Sequence, residues 1–184
     1  MDDKKAKKLF EITTNRMFTA IESFCIWKKM SMMMNINEEG KDKAERNVEI
    51  FRKYWDFFST VQNSTYKSFV TDLSIFFDSE KYEDTFSLQK LIREVKEKIT
   101  DIEYNKLIEE IDDIKTKHGV KIAFILELRN AEVSHQEIER KRRLIVFKEI
   151  DELFVGVQEI LNLLSKYYDR SFTILDHIER NVTS

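Results

Sequence analysis

The stretch VKIAFILELRNAEVSH, residues 120–135, decides how this chain folds. Two apolar stripes run through it at helical spacing. Ile122, Ile125, Leu126 and Val133 form one; Val120, Phe124, Leu128 and Ala131 form the other. A helix apolar on most sides is central, packed by neighbouring helices or by a second subunit. Arg129 interrupts the first stripe, between Leu126 and Val133. Burying a guanidinium unpaired is expensive, so Arg129 must be paired, reach solvent or sit at an interface.

Outward from this segment the helical period continues nearly everywhere. On the N-terminal side, Leu9, Phe10, Thr13, Met17, Ala20, Ile21, Phe24 and Trp27 mark a first helix over about residues 5–30. It runs out in KKMSMMMNINEEGKDK, where polar residues and Gly40 mark a loop. The methionines Met30, Met32, Met33 and Met34 read as fillers of irregular gaps. Val48, Phe51, Trp55, Phe58 and Val61 predict a second helix, and Tyr66, Phe69, Val70, Leu73, Phe76 and Phe77 a third. Aromatic residues at this spacing are core rather than a stacking platform for bases. Asp78 ends the third helix; its acid is either structural or part of a cleft.

Leu88, Leu91, Ile92, Val95 and Ile99 predict a fourth helix. Thr100 and Glu103 have capping-box spacing and start a fifth. Gly119, after Lys117 and His118, reads as that helix's stop. On the C-terminal side of the opening stretch comes the charged run QEIERKRR. A last helix over about 148–168 follows, with its stripe Ile150, Leu153, Phe154, Val157, Ile160, Leu161 and Leu164.

Composition supports the same picture. The chain has 184 residues, no proline and three glycines; average usage would give about nine prolines and about thirteen glycines. Turn residues are scarce, which disfavours a β-sandwich or barrel. Charged residues make up 35% and hydrophobic ones 42%, a mix suited to amphipathic helices. The expectation is a single all-α domain over residues 1–184, a bundle of about six to seven helices.

The net charge of −3 argues against bulk coating of nucleic acid, though not against a local basic patch. Cys25 is the only cysteine, which excludes an intrachain disulfide and a Cys-based zinc site. A reducing, cytoplasmic setting is expected. The N-terminus MDDKKAKKLF has no apolar signal core, and no stretch approaches the ~20 apolar residues of a membrane span.

Arg129, Asn130 and His135 are the candidate site. On an unbroken helix the six residues from Arg129 to His135 turn about 600°, so the two side chains stand about 120° apart. Convergence needs the helix to unwind near Asn130 or Ser134, or a second copy to bring its own pair across a two-fold axis. The bland alternatives are a pairing with Glu132 and a histidine favouring a helix C-terminus. His118 reads as a helix-end residue and His177 as surface; Ser134 reads as a capping hydroxyl.

LRNAEVSH closing an apolar helix, a charged connection and then FKEIDELFVGVQEILNLL resembles the HEPN superfamily, whose motif is Arg, four to six residues, then His. YWDFFSTVQNSTYKSFVTDLSIFFD and FSLQKLI are similar to the AbiU-type abortive-infection branch. The resemblance covers about residues 40–168. It implies a HEPN-like helical bundle and a metal-independent endoribonuclease acting as a homodimer, with the Arg and His of both subunits lining one cleft. On that basis Arg129 and His135 are catalytic and Asn130 supports them.

The implied chemistry is coherent. RNA carries its own nucleophile, the 2′-hydroxyl. Histidine can serve as base or acid near neutral pH, and arginine can grip phosphate oxygens in a bidentate manner. No cofactor or metal is implied. Arg140, Lys141, Arg142 and Arg143 are either a solvated face or the local patch that holds RNA. An antitoxin or a nucleotidyltransferase is a further partner class of the resemblance. A motif variant places a modifiable tyrosine two residues after the histidine; here that position is Glu137. Two other readings stay open: a non-catalytic module binding a nucleotide or a protein, and a purely structural bundle.

Overall fold

The computed structural model describes residues 3–78, 86–134 and 146–168. These residues form an all-α bundle. Its helices are α1 (Asp3–Met33), α2 (Ile36–Glu39), α3 (Lys41–Lys53) and α4 (Trp55–Phe77), then α5 (Leu88–Lys96), α6 (Asp101–Lys117), α7 (Gly119–Ser134) and α8 (Phe147–Ser165). α2 is a single four-residue turn, which leaves seven substantial helices among the described residues.

The long N-terminal helix α1 packs along α4, and the two carry much of the core. Phe10, Met17, Ala20 and Phe24 of α1 meet Phe69, Leu73 and Phe76 of α4, all buried. Phe24 sits edge-on to Phe69 with ring centroids at 5.3 Å, and Trp27 lies 5.5 Å from the same ring. Offset and edge-on rings of this kind add to the gain from area burial. Lys28 of α1 donates to the Asp151 carboxylate of α8 at 2.7 Å, closing the third side. At the far end Tyr168 stacks on Phe10 at 4.7 Å and donates its hydroxyl to the Leu91 carbonyl.

α8 is the most buried helix, with Ile150, Leu153, Phe154, Val157, Ile160, Leu161 and Leu164 all in the core. The expectation of a central α7, packed by neighbouring helices or by a second subunit, is met in part within this chain. Phe124 and Ile125 are buried, but Val120 is 76% exposed, and Ile122, Leu126 and Leu128 are half-buried. α7 packs against α4, α6 and α8, with Ile122 and Leu128 laid on the core, and leaves Val120 at its N-terminal end exposed.

A correction concerns the aromatic run. The second and third helices of the sequence reading are divided differently. The break falls at Tyr54, and α4 then runs unbroken to Phe77. Neither proline nor glycine causes it. Tyr54 leaves helical geometry at φ −121° and ψ 39°, yet its N–H still reaches the Ile50 carbonyl. Phe51 and Phe58, about 10.5 Å apart along an unbroken helix, stack at 4.2 Å across the bend. The bend turns Tyr54, Trp55 and Phe57 out of the core; they are 52%, 62% and 64% exposed. Those aromatics are surface, not core.

The loop expected over KKMSMMMNINEEGKDK is largely helical instead: α1 runs on to Met33, α2 spans Ile36–Glu39 and α3 begins at Lys41. Gly40 has φ 76°, a left-handed conformation that suits glycine, and precedes α3. Thr100 and Glu103 form the reciprocal capping box at the start of α6. Gly119 does not act as expected. α6 does stop at Lys117, but Gly119 is the first residue of α7, and the cap is His118. Met30 is buried, while Met32, Met33 and Met34 are half-buried. Among the described residues, no helix is long and apolar enough to cross a membrane.

Candidate functional site

Arg129 resolves its burial problem through one partner far away in sequence. α7 is rooted by Ile125, which is fully buried; one turn later Arg129 emerges at the rim of the core. There α4 ends. The Asp78 backbone N–H closes the last turn on the Ser74 carbonyl, and the residue then swings into extended geometry at ψ 120°. That places its carboxylate against α7. Arg129 Nη1 donates to Asp78 Oδ2 at 2.6 Å, across 51 residues of sequence. The two side chains are only 17% and 16% exposed.

The electrostatics favour the pair from both sides. A carboxylate at a helix C-terminus is poorly placed against the negative end of the helix dipole. The Arg129 guanidinium compensates the carboxylate and that dipole end together. A charge-assisted bond in this partly dry setting is worth roughly 1.5–3 kcal/mol. The second terminal nitrogen, Nη2, donates to Asn130 Oδ1 at 3.3 Å. Asn130 itself is exposed. Asn130 therefore meets Arg129 directly, and the two residues form one polar unit at the α4–α7 edge.

Asp78 is the residue that sequence reasoning left undecided. The only signal was that Arg129 needed a partner, and dozens of acids were eligible. Helical spacing cannot show that the end of one helix abuts the last turns of another.

α7 remains helical through Ser134. Of the two unwinding points expected, Asn130 lies inside the helix, while Ser134 is the last residue described there. His135 lies outside the described residues, as do Arg140, Lys141, Arg142 and Arg143, and His177.

His118 is elsewhere. As the C-cap of α6 it donates its N–H to the Ile114 and Thr116 carbonyls. Its ring is buried, 4% exposed, against Gly156 of α8, with neither ring nitrogen hydrogen-bonded among the described residues. Burial pushes its pKa below the usual value. Lys121 and Lys117 push the same way, and Glu159 and Glu152 offset part of the shift. Arg129 lies about 16 Å further along α7, so His118 is not the histidine of the Arg129 site. Among the described residues, no three His, Cys, Asp or Glu side chains converge as metal ligands would.

A helical bundle with an Arg-Asn pair closing an apolar helix is what the HEPN resemblance implied. The chain belongs to the HEPN family described as AbiU2, whose family model matches residues 3–182. That match begins at α1, well before the 40–168 segment that carried the resemblance in sequence. α1 is thus included in the family match, as its place in the core would require. No curated protein and no solved structure matches the chain.

Proposed function

We propose that this chain is a metal-independent endoribonuclease that cleaves RNA through attack of its own 2′-hydroxyl. The observation that carries the reading is the Arg129–Asn130 unit. Its guanidinium is held at the rim of the core and still has N–H groups to offer, at the start of the RN…H spacing. In this reaction the 2′-oxygen bonds to phosphorus and the bond from phosphorus to the 5′-oxygen breaks. One histidine accepts the 2′-hydroxyl proton, and another donates a proton to the departing 5′-oxygen. The products are a 2′,3′-cyclic phosphate and a 5′-hydroxyl. Arg129 stabilises the charge that gathers on the non-bridging oxygens.

His135 is the proposed acid and base. α7 is helical through Ser134, which removes unwinding near Asn130 as a way for one chain to join the pair, and we propose that two copies assemble the site across a two-fold axis. The half-buried Leu126 and the exposed Val120 of α7 support the same homodimer. We propose Arg140, Lys141, Arg142 and Arg143 as phosphate contacts, and a cytoplasmic role in abortive infection as a phage-defence toxin. An antitoxin is the partner class that such a role requires.

The test is incubation of RNA in EDTA with wild type and His135→Ala. Wild type leaves cyclic-phosphate 3′ ends and His135→Ala leaves RNA intact. RNA that survives wild type, or is cut equally well by His135→Ala, ends the proposal. One observation favours the non-catalytic reading: Arg129 already has its charge matched by Asp78. On that reading RNA stays uncut while a nucleotide or protein ligand raises the melting temperature.

A further inference from the structure

We infer that Asp78 is the positioning residue for Arg129: it fixes the guanidinium fork before substrate arrives and leaves the fork's remaining donors for phosphate. The assignment rests on the ribonuclease reading and adds a residue to it. Three observations carry it. The contact is short, 2.6 Å, between two side chains that are both mostly withdrawn from water. It engages a single terminal nitrogen, Nη1, rather than the whole fork. The other terminal nitrogen is turned to Asn130 of the same helix.

An arginine has five N–H groups in a rigid plane. The two contacts engage one N–H on each terminal nitrogen. Among the described residues, the fork keeps enough donors for a two-point grip on a phosphate. A free arginine side chain has many rotamers to lose on binding. Asp78 and Asn130 remove that freedom in the resting protein, so orientation does not have to be imposed during the reaction.

The carboxylate also has an opposite, weaker effect. It places negative charge beside the proposed phosphate site and lowers ground-state attraction. Orientation and charge therefore separate experimentally. Loss of the orienting bond acts on kcat, and loss of the negative charge acts on KM.

The experiment compares wild type, Asp78→Ala and Asp78→Asn in steady-state RNA cleavage, each checked for folding by circular dichroism. Asp78→Ala removes both the bond and the charge. Its kcat falls about 10- to 100-fold, the scale of a misplaced catalytic group. Asp78→Asn keeps an oxygen for Nη1 and removes only the charge, so its kcat stays within about threefold of wild type. KM falls in both variants, a change that mere loss of folded protein does not produce. The inference is overturned if Asp78→Ala retains wild-type kcat, if Asp78→Asn is as slow as Asp78→Ala, or if KM rises in both. Wild type that cuts no RNA overturns the ribonuclease reading itself, a result distinct from the other three.

Discussion

Gly156→Ala places the packing of α6 against α8 under direct test. A Cβ at that position would lie 2.8 Å from His118 Cδ2, 3.0 Å from Nε2 and 3.3 Å from Cγ. Carbon atoms prefer about 3.5–4.0 Å, so the imidazole must retreat by several tenths of an ångström. It has little room, because the ring is buried and sits at the end of a capped helix. Overpacking of this kind costs about 1–3 kcal/mol. Alanine in place of glycine inside a helix returns about 0.8–1.0 kcal/mol. The clash wins by about 1 kcal/mol, which lowers Tm by about 2–4 °C for a chain of this size.

The sign depends on the neighbour. In a His118→Ala background the clash is gone and only the helix preference remains, so Gly156→Ala stabilises by up to ~1 kcal/mol. Urea denaturation of the four proteins of this cycle gives the coupling, expected at about 1–3 kcal/mol. If Gly156→Ala raises Tm in wild type, or shifts stability equally in both backgrounds, the packing argument is wrong.

Two further outcomes follow from burial. His118 has its pKa lowered first by burial and then by Lys121 and Lys117. The unfolded chain therefore binds a proton near pH 6.5 before the folded protein does. Its contribution to stability is complete above that pH and is lost as pH falls below it, by up to ~1.4 kcal/mol per pH unit. Urea midpoints at descending pH should show this slope in wild type and its absence in His118→Leu; identical slopes would contradict it. Trp55→Ala and Phe57→Ala, at positions 62% and 64% exposed, should each change stability by less than about 0.5 kcal/mol. Phe69→Ala, fully buried, should cost about 3–5 kcal/mol. Equal losses at Trp55 and Phe69 in thermal melts would show that the exposed aromatics are covered in solution.

The sequence by itself determined most of what is local. Absent prolines, scarce glycines and a near-continuous 3.6-residue period specify helices, because helical hydrogen bonds and faces are set by neighbours three and four residues away. The capping box at Thr100 was legible for that reason, and so was the stripe of α8. Arg129 was legible as an anomaly, since an arginine in an apolar stripe needs a partner.

The identity of that partner was not legible. Asp78 becomes special only when the end of α4 abuts the last turns of α7, and periodicity says nothing about which helix ends meet. The bend at Tyr54 has the same origin. Its residues are ordinary helix material, and the stacking of Phe51 on Phe58 comes with the turning of Trp55 and Phe57 outward. Burial rank was likewise decided in three dimensions. The apolar pattern of α7 predicted a helix packed by neighbours or by a second subunit; the packing buries Phe124 and Ile125 and leaves Val120 exposed. A hydrophobic face is a property of one helix, whereas being covered is a property of the packing around it.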